Sequence, residues 1–179
     1  VKHAVTLVLP LLLASSPALA GKKDKQEEPP AADAPAADAP AADAPEIPAA
    51  AAAAYNYRKQ VLSSLGKHMK ALSFFVKGKL EPRTEDLVAH AQALQATSTV
   101  VGQLFPAGTG PDVIPDTEAL PEIWEDPDGF AQRAQALVDA SAALAEVAPQ
   151  GDLAAFTDAY KQVGASCGGC HDHYRLDAD

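Results

Sequence analysis

The chain has 179 residues, 47% of them hydrophobic, with 24 acidic against 14 basic side chains and a formal net charge of −10. That acidic balance excludes a basic face for nucleic acid. The length left after the N-terminal segments suits one domain of ordinary size.

The first predicted element is an export signal over 1–20. Lys2 and His3 precede a short apolar run from Ala4 to Ala14, and Ala18-Leu19-Ala20 supplies small residues for cleavage after Ala20. The run is shorter than the roughly 20 apolar residues of a membrane span. An uncleaved signal anchor is the other reading. Residues 21–48 follow as a spacer in which Ala-Ala-Asp-Ala-Pro recurs three times between Ala31 and Pro45. Regular proline and the lack of large apolar side chains across the repeats leave nothing there to offset chain entropy, so an extended, semi-stiff segment is expected. It either holds the domain away from a membrane or wall or is an inert tail.

From 49 to 179 the apolar periodicity is helical throughout, and strand signals are missing. Tyr57, Val61, Leu65, Met69, Leu72 and Val76 form the first stripe, stopped by Gly78. A second helix is predicted from an N-cap at Thr84, with the stripe Leu87, Ala91, Leu94, Ser98, Val101 and Phe105. The long link 102–125, rich in proline and glycine, is expected to be packed, with Trp124 as its apolar anchor. Asp126 as N-cap and Pro127 at the first helical position open a third helix through Phe130, Ala134, Leu137, Ser141, Leu144 and Ala148. Gly151-Asp152 opens a fourth, carrying Leu153, Phe156, Tyr160, Val163, Cys167, His171 and Tyr174 on one side. Four amphipathic helices with two short links and one long one predict an all-α, antiparallel four-helix bundle.

The fourth helix ends in Cys167-Gly168-Gly169-Cys170-His171, which holds the only two cysteines. Two thiols one helical turn apart can each add across a vinyl group of haem, and the next imidazole can bind its iron. Rival readings fare worse. A thioredoxin-like thiol needs a helix N-terminus to lower its pKa, whereas Cys167 lies in the last turns of a helix. A zinc site needs further ligands, and no second cysteine pair exists. The i, i+3 and i, i+4 relations place Cys167, Cys170 and His171 on one inward face. Arg175, four residues beyond His171, falls beside the proximal side of the iron or frays into solvent. The predicted cofactor is one haem c, held by two thioethers, with His171 as its metal ligand. Assembly of such a site suits an exported, periplasmic protein.

These residues resemble the cytochrome c′ family over about 50–176. The resemblance rests on Tyr57-Arg58, Val76-Lys77-Gly78, Leu120-Pro121-Glu122-Ile123-Trp124 and the run Gly164–Arg175 around the haem motif. It implies Arg58 near the haem propionates and Lys59 at the haem edge, where the family often has glutamine. It also implies an approach of the loop around Thr117 and Glu118 to the haem, and pairing of two copies through the first two helices. Family members with a methionine four residues after the arginine have a six-coordinate iron, but this chain has Leu62.

A saturated side chain cannot donate to iron, so Leu62 predicts a five-coordinate iron with His171 on one side and an apolar pocket on the other. Met69, the only methionine, is the challenger. It lies about 10 Å further along the helix and reads as core filler. His68 and His90 face elsewhere and read as surface residues. Dioxygen at haem iron needs a hydrogen-bond donor that Leu62 does not offer, whereas nitric oxide and carbon monoxide need it less. The family likeness adds that Arg175 could meet a proximal ligand once His171 is released. Capture of a diatomic gas and electron transfer to a redox partner both stay open, with a six-coordinate, methionine-ligated electron carrier as the alternative. Enzymatic turnover is not expected, because no acid–base pair or nucleophile is arranged near the haem.

Overall fold

A computed structural model describes residues 46–176. The predicted signal, 1–20, and the spacer up to residue 45 lie outside the described residues; 46–48 are exposed and non-helical. Four long helices form the domain: α1 (Ala49–Val76), α2 (Thr84–Ser98), α4 (Pro127–Val147) and α5 (Leu153–Tyr174). A short helix, α3 (Glu122–Glu125), lies in the long link. The fold is an antiparallel four-helix bundle. Among the described residues no strand occurs, only a single bridge between Ala119 and Arg175, and no helix is long and apolar enough to cross a membrane.

Local chemistry accounts for the helix boundaries. The Asp126 carboxylate accepts the Gly129 N–H, with Pro127 in the first turn of α4. Asp152 caps α5 by accepting from Ala154 and Ala155. Gly151 reverses the chain before it at φ 74°, a left-handed conformation that costs other residues more. The predicted Thr84 cap is not used. Thr84 is the first residue inside α2, its cap position is Arg83, and no side chain caps the helix there. Arg83 instead spans the first turn to the Asp86 carboxylate.

Packing is unequal around the bundle. α4 packs against both α2 and α5, α1 packs mainly on α2, and α1 and α5 touch sparsely. Leu72, Leu94, Leu144, Phe156 and Val163 form the fully buried centre. Burial of one such leucine stabilises the fold by about 1.5–3 kcal/mol. The α4 stripe is buried as predicted. On α1 the stripe is corrected at its start: Tyr57 is 60% exposed, and Arg58 beside it is buried instead.

The long link is packed as predicted. Ile114, Leu104 and Ala119 are buried within it, and the Trp124 indole N–H donates to the Phe105 and Pro106 carbonyls. Its later part is tied to the end of α5 by Leu120 N–H to the Tyr174 carbonyl and Leu176 N–H to the Glu118 carbonyl. It is tied to α1 by the Tyr55 hydroxyl, which donates to the Asp116 carbonyl.

Candidate functional site

A cavity of about 760 Å³ opens between α1 and α5, within the size range of cofactor pockets. α1 contributes Arg58, Lys59, Leu62 and Met69, and α5 contributes Cys167, Cys170, His171 and Arg175. Thr117, Glu118 and Ala119 from the long link and Phe130, Arg133 and Leu137 from α4 complete the wall. Every site residue predicted from the sequence therefore borders one cavity.

The two thiols are free and half-buried. Burial pushes both above their ordinary pKa, and Cys167 raises Cys170 further. They are thus protonated at neutral pH, the opposite of an activated redox thiol at a helix N-terminus. Partial burial is the main cause that lowers the pKa of His171; Arg175 lowers it further, and Asp172 and Glu118 act in the opposite direction. The neutral imidazole that results is the form able to coordinate a metal.

Arg58 is 3% exposed, yet its hydrogen-bond partners are all neutral. Its Nη1 donates to Thr109 Oγ1 at 3.3 Å; its Nη2 donates to the Thr109 carbonyl at 3.3 Å and to Thr117 Oγ1 at 3.0 Å. The guanidinium carbon also stands 4.6 Å from the Phe105 ring centroid and 5.3 Å from that of Tyr55. Burial lowers its pKa, but arginine remains protonated in proteins. A buried cation without a carboxylate is costly unless an anion completes its surroundings. This favours a guest with acidic substituents.

On the opposite wall Arg175 is held by Glu118, with Nε and Nη2 both 2.8 Å from Glu118 Oε2. Arg175 is neither frayed nor free. Lys59 stands over the Tyr55 ring at 5.0 Å. Leu62 borders the cavity with part of its surface open. Met69 packs against the core and also borders the cavity.

Two contributors had no local signal. Thr109 holds Arg58 from 51 positions away, a pairing invisible to helical spacing. Arg133 comes from the polar side of the α4 stripe and reaches the haem motif, 3.2 Å from where a side chain on Gly169 would begin. The only hint was its place beside Ala134, one step off the buried stripe.

The donor set fits haem c. Two thiols, one neutral imidazole and a buried cation converge on a largely apolar chamber. They are, respectively, what vinyl groups, iron and propionates require.

Comparison with known proteins agrees. The cytochrome c′ family profile matches residues 53–175. Cytochrome c′ of Pararhodospirillum photometricum is 41% identical over 123 residues, covering 69% of this chain and 96% of that protein. A nitric oxide complex of a leucine-to-alanine variant of cytochrome c prime from Alcaligenes xylosoxidans superposes with a TM-score of 0.66 at 31% identity, covering 72% of this chain and 97% of the other. A ferrous arginine-to-glutamate variant of that same protein gives 0.67 at 32% identity, covering 73% and 98%.

Proposed function

The chain belongs to the cytochrome c′ family of haem c proteins, and from that premise we propose that it is a periplasmic protein whose five-coordinate haem iron captures small diatomic gases. Nitric oxide and carbon monoxide are the ligands its pocket chemistry favours, and the same iron can pass electrons to a redox partner. No enzymatic step is proposed. The domain limits are 1–20 for the signal, 21–48 for the spacer and 49–179 for the bundle.

The observation that carries this reading is Leu62 on α1 lining the same cavity as His171 on α5. When bound, the haem iron supplies one open coordination position and cycles between the ferrous and ferric states. The chain's own residues do the rest. Cys167 and Cys170 would hold one haem through two thioethers, each thiol adding its sulfur and hydrogen across a vinyl double bond. His171 would donate a ring-nitrogen lone pair to the iron. Arg58 would meet a propionate and acquire the anion that its neutral partners lack, with Lys59 and Thr117 beside it. Leu62, which offers no hydrogen bond, would keep water from the iron and would have to swing aside for an entering gas. Glu118, which holds Arg175, would keep that cation near the His171 side. A nitric oxide complex of a related protein altered at a leucine is consistent with a gating leucine here.

The test is the absorption spectrum of purified holoprotein. High-spin, five-coordinate bands in both oxidation states, with carbon monoxide binding to the reduced form, are expected. A Leu62→Ala variant should bind carbon monoxide faster and at least tenfold more tightly. Unchanged kinetics would show that Leu62 is not the gate. Because Met69 borders the same cavity, a low-spin spectrum with a methionine-to-iron charge-transfer band would replace gas capture by six-coordinate electron transfer.

A further inference from the structure

His68 on α1 and His90 on α2, both read from the sequence as surface residues, meet between their helices. Both are half-buried, with ring centroids 5.1 Å apart and planes inclined at 57°. Their Nδ1 atoms are 2.8 Å apart, so one imidazole donates its Nδ1–H to the bare Nδ1 of the other. Neither histidine borders the haem cavity. Among the described residues neither ring hydrogen-bonds any group but its partner.

We propose that this pair is a second metal site, separate from the haem, at which a divalent copper or nickel ion replaces the shared proton and bridges α1 to α2. Two imidazole nitrogens within reach of one ion suit copper and nickel, and among divalent first-row ions copper(II) binds such donors most tightly. Each ring must turn about its Cβ–Cγ bond until both lone pairs converge. That torsion is broad in histidine, and neither ring is restrained by a second bond.

Among the described residues no cluster of three or more histidine, cysteine or acidic side chains is spaced for a metal. Water would therefore complete the shell, and the bound ion would remain accessible and exchangeable.

The experiment titrates ferric holoprotein with copper(II) by calorimetry at pH 7, in a non-coordinating morpholine-sulfonate buffer, and follows thermal unfolding with and without the ion. His68→Asn and His90→Asn are compared with His173→Asn, whose ring lies instead beside the Gly169 carbonyl. An unaltered haem absorption band certifies that each variant is folded. The expected result is that His68→Asn and His90→Asn each bind one equivalent fewer than wild type, or bind that equivalent at least tenfold more weakly. Copper should raise the melting temperature of wild type and His173→Asn but of neither other variant. Equal stoichiometry and affinity in all four proteins, or no binding by wild type at millimolar copper, would overturn the proposal.

Discussion

Ser141 is the sharpest single-residue anomaly. Its hydroxyl is fully buried in the α4 core stripe with no hydrogen-bond partner among the described residues. A buried polar group left unpaired costs about 1–3 kcal/mol, while alanine at that position keeps the helix and removes the polar atom. Ser141→Ala should therefore raise stability by about 1 kcal/mol, read as a higher denaturation midpoint with an unchanged haem spectrum. Arg58 is the opposite case, a buried charge whose described hydrogen-bond partners are neutral. On the proposed reading, Arg58→Gln removes a positive charge beside the porphyrin rim, which disfavours the reduced, less positive iron, so the reduction potential should fall in spectroelectrochemical titration. Of the residue-scale features, the convergence of Cys167, Cys170 and His171 on one cavity was legible because their spacing is local in sequence. Thr109 and Arg133 were not, since their roles arise only when distant segments meet. Nor was the His68–His90 contact, because helical periodicity gives the face of one helix but not the register of its neighbour.

At the scale of the element, helix starts divide by whether a side chain completes them. Asp126 caps α4 through Gly129 and also accepts the Tyr174 hydroxyl at 3.2 Å. It thus couples the start of α4 to the end of α5. Asp126→Ala should cost about 1–2 kcal/mol, measured by chemical denaturation, whereas Thr84→Ala, which removes no cap, should cost much less. Asp-Pro at 126–127 and Gly-Asp at 151–152 were readable because a cap needs only a short segment of chain. Thr84 misled because threonine is a good cap wherever its hydroxyl can reach back. Here Arg83 takes the cap position, and its own side chain pairs with Asp86 across the turn. The packed state of the 102–125 link followed from its apolar residues. Its path did not, because the path is set by bonds to Tyr55 and to the end of α5.

For the whole molecule, the unequal packing of the four helices matters most. α2, α4 and α5 pack firmly in sequence, while α1 and α5 face each other across the cavity with few direct contacts. A haem held there serves as core as well as cofactor. The double variant Cys167→Ser, Cys170→Ser, which cannot form thioethers, should therefore unfold at a melting temperature well below the holoprotein's. The loss should appear first in hydrogen exchange along α1 rather than along α4. Uniform protection in the two proteins would show that the bundle stands without its guest. The sparse α1–α5 seam also has a bearing on quality control. Proteases act on the fraction of molecules that open, and a chain that missed its haem would open along this seam far more often than a loaded one. Cofactor loading would then be read out directly as lifetime, and the population that persists would be the population able to bind a ligand.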